Sequence, residues 1–369
     1  MSGAEQAVRQ CVATGRRVVV KVGSSSLATA SGGIDGAALD GLVDAVAAAC
    51  HAGREIVLVT SGAIAAGLEP LGFGRRPTDL AQQQAAAAVG QGLLIARYTQ
   101  AFARHSLTVA QVLLSVEDLS RKTSYANALR TFGALTRLGT VPIVNENDTV
   151  ATREIRFGDN DHLAALVAEL VGAHALVLLS DVDALYTTRP GDPGAEPVPY
   201  VAKVADITAD IDKSGTSGVG SGGMASKIQA AGLAAGAGIP VILTSCAQVG
   251  QALAGGPVGT AFSAAPRRRP RRLLWLADAS VAQGSLRVDA GAVKALTTTA
   301  ASLLAAGIVG VEGDFGAGDP VEIVGPDGQV VARGLVAFGS RELPAHLGER
   351  FGHEVVHRDD LVLVRKARS

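Results

Sequence analysis

Residues 17–26 read RVVVKVGSSS, an apolar run that contains Lys21 and is followed by a glycine and three serines. Consecutive valines are typical of a strand that is buried on both faces, as in a parallel sheet. Similar runs recur at 55–60 (EIVLVT), 108–114 (TVAQVLL), 141–145 (VPIVN), 175–180 (ALVLLS) and 240–245 (PVILTS). Alanine- and leucine-rich stretches that favour helices lie between them, at 37–51, 79–102, 125–138 and 162–171. This alternation predicts an α/β fold with an open, mainly parallel sheet sandwiched by helices.

The composition excludes several broad classes of protein. Of the 369 residues, 48 % are hydrophobic and 18 % are charged, so the chain has enough apolar surface to fold and is not disordered. The formal net charge is −1, which argues against a protein that binds polyanions with its whole surface. The three cysteines are far apart and form no CxxC pair. They predict neither a disulfide framework nor a zinc finger, and they favour a reducing, cytoplasmic location.

No membrane segment or targeting signal is expected. Residues 1–17 contain no apolar core of the kind that a signal peptide needs. Residues 228–266 contain no charged side chain, but Gly232, Gly236, Gly238 and Pro240 interrupt the apolar run. A spanning helix needs about 20 mainly apolar residues in one run. This stretch therefore indicates a helix, a strand and a second short helix.

The pattern changes after residue 262. Residues 266–272 (PRRRPRR) are basic and rich in proline, and the following residues form short apolar runs separated by glycine-rich turns. Such runs lie at 285–288, 308–312, 320–323, 330–336 and 361–364, and one helical stretch lies at 291–304. We therefore predict a first domain at 1–265, a basic linker at 266–280 and a small, mainly β domain at 281–369.

Most of the predicted strands of the first domain end in small or polar residues. Lys21 and Val22 precede a Gly-Ser loop, and the later exits are Thr60-Ser61-Gly62, Asn145-Glu146-Asn147-Asp148 and Ser180-Asp181. Ligands of open α/β sheets bind beyond the carboxyl ends of the strands. We expect these residues to converge on one crevice.

Two segments have the chemistry of a phosphate site. The Lys21 ammonium and the N–H groups of the loop after it suit phosphate oxygens, although a solvated lysine at a sheet edge is the alternative. Residues 218–227 (GVGSGGMASK) place glycines before a helix that carries Lys227. Glycines allow a phosphate to approach the backbone, and the helix N-terminus favours negative charge. A flexible linker is the alternative, but Met224 and Ile228 favour an ordered helix start.

An acidic and amide-rich cluster follows the fourth strand. Its members are Asn145, Glu146, Asn147, Asp148, Asp159, Asn160 and Asp161. Carboxylates in such a cluster can hold an ammonium group, a metal or lysine side chains. The alternatives are Asx turns and, for Asp161, a place at the start of a helix. Ser61 could bind a carboxylate together with nearby N–H groups, or it could simply cap a helix.

Two sequence motifs fit those of other enzymes only superficially. Residues 218–223 fit GxGxxG but do not follow a strand in an N-terminal βαβ unit, and no P-loop motif is present. Residues 353–357 (HEVVH) fit HExxH, which binds zinc only on a helix with a third ligand. Two β-branched residues lie inside this motif and a strand-like run follows it, so no metal site is assigned.

Together these motifs resemble those of the glutamate 5-kinases, which are enzymes of the amino acid kinase family. The residues that carry the resemblance are 20–25 (VKVGSS), 60–67 (TSGAIAAG), 144–148 (VNEND), 157–161 (FGDND) and 221–224 (SGGM) with Lys227. Their order and spacing agree from Arg17 to Phe262. The tail from 285 to 363 is similar to a PUA domain, through 288–292 (VDAGA) and 312–315 (EGDF). Relatives often have threonine at the position of Ser221, and serine keeps the hydroxyl.

The resemblance implies ATP-dependent phosphorylation of the γ-carboxylate of L-glutamate to γ-glutamyl phosphate, the first step of proline biosynthesis. Lys21 and Lys227 would bind the ATP phosphates, and Asp161 would hold both lysines. Glutamate would contact Ser61, Asp148 and Asn160. The implied ATP site consists of Lys21, Ser180, Asp181, Ser221, Gly222, Gly223, Met224, Ala225, Ser226 and Lys227. Mg²⁺ would accompany ATP. The family also implies a homo-oligomer formed through the kinase domain and feedback by proline near the glutamate site.

Two alternatives differ in substrate or in class. A kinase of the same fold could act on aspartate, N-acetylglutamate, carbamate or uridylate, but the 145–148 and 159–161 segments and the PUA-like tail argue against it. The chain could instead bind RNA, because PUA-like domains often do and the arginines of 267–272 could contact phosphates. A solvated linker is the simpler interpretation of those arginines.

Overall fold

An eight-stranded sheet lies within the larger of two units that the described residues form. The computed structural model describes residues 1–29, 33–150, 160–188, 190–204, 207, 223–266, 268, 270–347 and 354–364. The larger unit comprises Met1–Val116 and Asn127–Arg268. The smaller unit comprises Glu117–Ala126 and Arg269–Ser369.

The elements of residues 1–268 alternate between strands and helices over much of their length. The strands are β1 (Arg17–Val22), β2 (Glu55–Val59), β3 (Val109–Leu114), β4 (Val141–Glu146), β5 (Ala175–Ser180), β6 (Leu185–Tyr186), β7 (Pro197–Val198), β8 (Tyr200–Val201), β9 (Val241–Ser245) and β10 (Thr260–Phe262). The helices are α1 (Gly3–Thr14), α2 (Gly36–His51), α3 (Ala63–Leu68), α4 (Leu80–Ala103), α5 (Val116–Ser120), α6 (Lys122–Arg137), α7 (Asn160–Val171), α8 (Met224–Gly236) and α9 (Val249–Leu253).

The sheet has the strand order β3-β4-β2-β1-β5-β9-β10-β8. Strand β1 lies between β2 and β5 and is parallel to both, with Lys21 opposite Val59 and Leu178. Every residue of β5 is buried, as the uninterrupted apolar run predicts. Among the described strands of this sheet, only the short β10 pairs antiparallel, with β9. The predicted α/β fold with a mainly parallel sheet and flanking helices is therefore confirmed.

Side-chain caps fix the starts of the two helices that cover one part of this sheet. Asp35 accepts hydrogen bonds from Ala37 N and Ala38 N at the start of α2. Asp79 accepts one from Gln82 N at the start of α4. Such caps satisfy N–H groups that have no partner within the helix. Both helices then bury apolar residues in the same core as β1, including Leu39 and Phe102.

The smaller unit is built mainly from short strands, as predicted. Its strands are β11 (Gly284–Val288), β12 (Leu303–Leu304), β13 (Ile308–Gly313), β14 (Pro320–Val324), β15 (Val330–Leu335), β16 (Glu354–Val356) and β17 (Leu361–Leu363), and its further helices are α10 (Arg271–Leu274) and α11 (Ala290–Thr298). Five strands form a sheet of order β13-β11-β14-β15-β17, and β12 pairs with β16.

Helix α11 ends earlier than the sequence pattern indicates. The predicted helical stretch at 291–304 was too long, because α11 stops at Thr298 and residues 303–304 form β12. Three successive threonines lie at this end, and their hydroxyls bond to carbonyls four residues back. Threonine is a weak helix former because its branched Cβ loses side-chain freedom in a helix. Ala300 then adopts a φ of 48°, which is incompatible with a continuing helix.

The second half of the predicted linker at 266–280 is mainly helical and belongs to the smaller unit. A π-helical turn at Trp275–Ala279 continues α10. Trp275 is buried, its indole N–H donates to the Leu119 carbonyl at 2.8 Å, and its ring lies 5.9 Å from that of Tyr125. Lys122 Nζ donates to the Gly318 carbonyl at 3.1 Å. These contacts tie residues 117–126, which lie within the predicted first domain, to the smaller unit.

The HEVVH motif lies mainly in a strand, and the described residues contain no helix that could span a membrane. Glu354, Val355 and Val356 of the HEVVH motif form strand β16, which is not the helix that a zinc protease needs, and His353 lies outside the described residues. Within the part of the chain that the structure describes, no helix has the length and apolarity required to cross a membrane.

Candidate active site

Lys21 lies at the centre of the sheet, one residue before the end of β1. Only 2 % of its surface is exposed, because β2 and β5 pair with β1 on either side. Its ammonium forms an ion pair with Oδ1 of Asp161, a residue of the first turn of α7. A buried lysine is stabilised in its charged form only by a partner of opposite charge. Asp161 supplies that charge.

Lys227 and Ser226 approach the other oxygen of the same carboxylate. Lys227 Nζ lies 3.2 Å from Asp161 Oδ2, and Ser226 Oγ donates to that oxygen at 2.9 Å. Asp161 is fully buried and Lys227 is 7 % exposed. The structure therefore brings Lys21 and Lys227 together at one carboxylate. Two ammonium groups and one carboxylate leave an excess of positive charge, which suits an anionic ligand.

Residues 223–227 form the start of α8. Gly223 precedes the helix in an extended conformation, and its carbonyl accepts from both the N–H and the hydroxyl of Ser226. Met224 and Ala225 in the first turn are half-buried. The helix N-terminus carries a partial positive charge beside Lys227. Ser221 and Gly222, which were predicted to belong to the same site, lie outside the described residues.

Ser180 and Asp181 lie where β5 ends, on the strand next to Lys21. Ser180 is buried, and its hydroxyl donates to Asp181 Oδ1 at 3.0 Å. Asp181 is exposed. Because β5 is parallel to β1, this strand exit and the Lys21 exit lie at the same edge of the sheet.

The exit of β2 leads into α3 through a tight turn. Thr60 N donates to the Val144 carbonyl at 2.9 Å, and the Thr60 hydroxyl lies 2.9 Å from that of Tyr98 in α4. Ser61 is half-buried, and Gly62 adopts a φ of 104°, a left-handed conformation that favours glycine. This turn places Ser61 at the edge of the sheet directly before α3.

The exit of β4 is held by a network of amide groups. The Glu146 N–H is shared between Asn145 Oδ1 at 3.0 Å and Asn160 Oδ1 at 3.1 Å. Asn145 is buried, and its Nδ2 donates to Gln91 Oε1 at 2.6 Å. An amide whose oxygen is engaged in this way offers its nitrogen as a donor. Asn160 is therefore suited to donate to a carboxylate.

Asp148 follows this exit in a short 3₁₀ turn at Asp148–Val150 and is half-buried. Burial raises the pKa of its carboxyl group to about 6, and the positive charge of Arg76 opposes part of that rise. A carboxylate in this environment is suited to binding a cationic group such as an ammonium. Asp159, the other predicted acid of this segment, lies outside the described residues.

Two contributors to these strand exits were not predicted from the sequence. They are Gln91 and Tyr98, both in α4. The signal for Gln91 was weak, since it is a single amide within the alanine- and glycine-rich run 85–92 (AAAAVGQG). Tyr98 has a fully buried hydroxyl-bearing ring, which needs a hydrogen-bond partner, but the sequence does not identify that partner.

The sequence and the fold of the chain match those of known proteins. The model of the amino acid kinase family matches residues 16–245, and that of the PUA domain matches residues 284–350. The solved carbamate kinase from Giardia lamblia bound to AMP-PNP shares the fold, with a TM-score of 0.50 at 18 % identity. The likeness covers 69 % of this chain and 100 % of that one.

Curated relatives are similar over nearly the whole chain. A glutamate 5-kinase of Streptomyces coelicolor is 56 % identical over 99 % of this chain and 100 % of its own length. One of Salinispora arenicola is 56 % identical over 97 % of this chain and 100 % of its own. The chain therefore belongs to the amino acid kinase family, in the group of the glutamate 5-kinases that carry a C-terminal PUA domain.

Proposed function

We propose that the chain transfers the γ-phosphoryl group of ATP to the γ-carboxylate of L-glutamate and produces γ-glutamyl phosphate, the first step of proline biosynthesis. The observation that supports this most is the meeting of Lys21 and Lys227 at the Asp161 carboxylate. Two ammonium groups fixed beside a helix N-terminus suit a transferring phosphoryl group.

The acceptor needs no general base in this reaction. A γ-carboxyl group has an ordinary pKa near 4.3, so glutamate is already a carboxylate nucleophile at neutral pH. The enzyme must then align the two substrates and neutralise charge on the transferring phosphoryl group. Lys21 and Lys227 provide the charge, and Asp161 holds them at fixed positions.

For glutamate we propose three binding residues. The Asp148 carboxylate would pair with the substrate ammonium, and Asn160 would donate to a substrate carboxylate. Ser61 lies before the start of α3, where its hydroxyl and the nearby N–H groups suit a second carboxylate. Ser61 and Asp148 follow the ends of β2 and β4, and Asn160 is the first residue of α7.

For ATP we propose the segments at the ends of β5 and at the start of α8. The residues are Lys21, Ser180, Asp181, Ser221, Gly222, Gly223, Met224, Ala225, Ser226 and Lys227. Mg²⁺ would enter with the phosphates as part of the MgATP substrate. Both Asp161 oxygens already face cations, so this carboxylate is not suited to hold the metal. Within the described residues, no three His, Cys, Asp or Glu side chains form a group that could hold a metal.

Four further properties are proposed, the first and the last from the sequence pattern and the other two from the resemblance to the family. These are a cytoplasmic location, self-association through the kinase domain, feedback by proline near the glutamate site, and a division into a kinase domain at 1–265, a linker at 266–280 and a PUA-like domain at 281–369. The sequence matches support the two-domain organisation, since they place the kinase and PUA models on separate parts of the chain.

The decisive experiment is ADP release on adding L-glutamate and MgATP, with hydroxylamine present to trap an acyl phosphate as the hydroxamate. We expect glutamate-dependent ADP release and an equal amount of γ-glutamyl hydroxamate. Parallel reactions with aspartate, N-acetylglutamate, carbamate and UMP test the other kinases of this fold. A clear preference for any of these, or ADP release without hydroxamate, would contradict the proposed function.

A further inference from the structure

Asn145 has an amide orientation that the backbone determines. Its side chain is buried at the end of β4, and its Oδ1 accepts the N–H of Glu146 at 3.0 Å. A backbone N–H can only donate, so the oxygen of the amide must face it. The nitrogen of the Asn145 amide must then face the other side, toward α4.

The side chain of Gln91 in α4 accepts a hydrogen bond from that nitrogen. Asn145 Nδ2 donates to Gln91 Oε1 at 2.6 Å. Because the donor is buried, an acceptor is needed at this position, and the loss of the acceptor would leave a buried N–H group without its partner. Gln91 therefore holds Asn145 through the oxygen of its side chain.

The same network continues to the proposed substrate residues. The Glu146 N–H that Asn145 accepts also donates to Asn160 Oδ1 at 3.1 Å. Asn160 opens α7 and directly precedes Asp161, the partner of both lysines. A shift of Asn145 would thus change the hydrogen bond that orients the Asn160 amide.

Helix α4 is itself held close to the neighbouring strand exit. Gly67 of α3 and Gly90 of α4 lie so near each other that a Cβ on Gly90 would overlap the Ala63 carbonyl oxygen. Tyr98 lies seven residues after Gln91 on the same face of the helix. Its hydroxyl lies 2.9 Å from that of Thr60. One helix therefore contacts the exits of both β2 and β4.

We propose that Gln91 is a positioning residue, which acts through Asn145 and Asn160 to orient the carboxylate of the acceptor substrate. This inference rests on the proposed function, since it assigns Gln91 to the glutamate side of the site. It requires an acceptor atom at position 91 and not merely a side chain of the right size.

The test compares Gln91→Met, which keeps the approximate shape and removes the acceptor, with Gln91→Glu, which keeps an acceptor. Gln100→Met is the matched control, because Gln100 is an exposed glutamine on the same helix. We expect Gln91→Met to lower kcat/KM for glutamate about tenfold, the effect of one lost buried hydrogen bond. The KM for ATP should change less than about twofold, and Gln91→Glu should recover most of the loss.

A second arm tests the route through Asn145. In an Asn145→Ala background, Gln91→Met should cause no further loss, because two residues that act through one contact are not additive. The proposal is overturned if Gln91→Met behaves like Gln100→Met, if Gln91→Glu is impaired as strongly as Gln91→Met, or if the KM values for ATP and glutamate rise equally.

The wild-type reaction distinguishes a failure of the Gln91 proposal from a failure of the proposed function. A wild-type chain that yields no hydroxamate from glutamate overturns both the proposed function and the role of Gln91. An active wild type with an unaffected Gln91→Met variant overturns the role of Gln91 alone. Circular dichroism and melting of each variant establish that the altered chain is folded.

Discussion

Lys21 and Lys227 contact opposite oxygens of one buried carboxylate, that of Asp161. The first lysine comes from the central strand β1, and the second from the first turn of α8. The carboxylate offsets the repulsion between two ammonium groups that would otherwise lie close together in a buried site. The shared carboxylate explains how two lysine ammonium groups can lie together, buried, near the carboxyl end of a mainly apolar strand.

We expect Lys227→Ala to lower kcat by about two orders of magnitude or more, because an oriented charge beside the transferring group contributes that much to catalysis. Initial rates of ADP release measure the effect. Lys294→Ala is the control, since Lys294 is an exposed lysine on α11. Turnover of the Lys227→Ala variant near the wild-type value would remove this lysine from the mechanism.

Replacement of Asp161 should affect both catalysis and stability. Asp161→Asn keeps the shape but leaves two buried ammonium groups without their counter-charge, so we expect a loss of about 3 kcal/mol in the free energy of unfolding. We also expect kcat to fall about a hundredfold, because the lysines lose their fixed positions. Urea unfolding and ADP release measure the two effects. An unchanged unfolding midpoint would contradict the assigned role.

The raised pKa of Asp148 predicts a pH dependence of glutamate use. Burial raises the pKa of this carboxyl group to about 6, so the group is ionised above pH 6 and neutral below it. Only the ionised form can pair with the substrate ammonium. We therefore expect kcat/KM for glutamate to fall about tenfold per pH unit below about pH 6.

The glutamate γ-carboxyl group, with a pKa near 4.3, remains mostly ionised between pH 5 and 7 and does not obscure this effect. The control is Asp148→Asn, which should have a lower kcat/KM and a nearly flat profile in that range. A wild-type profile that stays level down to pH 5 would show that ionised Asp148 is not required.

The contact between α3 and α4 should not tolerate a side chain. In Gly90→Ala the new methyl group would overlap the Ala63 carbonyl, so the two helices must separate. We expect a loss of about 3 kcal/mol in unfolding free energy. Gly92→Ala on the same helix is the control, since a Cβ there meets nothing within 4 Å and alanine is the better helix former. Equal stability of the two variants would contradict the close packing.

The central strands could be predicted because burial on both faces leaves a direct trace in the sequence. Residues 175–180 are almost entirely apolar and form β5, and residues 17–22, which form β1, contain three consecutive valines. Helix α1 leaves no such trace. Its Glu5 and Arg9 carry charges, which are usually exposed in proteins, yet both are buried as an ion pair. Arg9 also donates to the carbonyls of Gly256 and Val258, which lie far away in the sequence.

The site could be predicted only in part, for a similar reason. Lys21, Asp161 and Lys227 were named from motifs that resemble those of a known family, and the structure brings them together. Gln91 was missed because one amide in an alanine-rich helix does not reveal whether it faces water or another amide. The attachment of 117–126 to the smaller unit was likewise hidden, since its contacts are with residues that lie far along the chain.

That attachment has a consequence for synthesis of the chain. Leu119, whose carbonyl accepts the indole N–H of Trp275, leaves the ribosome long before that tryptophan is made. A unit assembled from two distant pieces of sequence cannot complete its folding while only the first piece has emerged. Residues 117–126 can therefore complete their contacts within the smaller unit only after the residues from Arg269 onward have been synthesised.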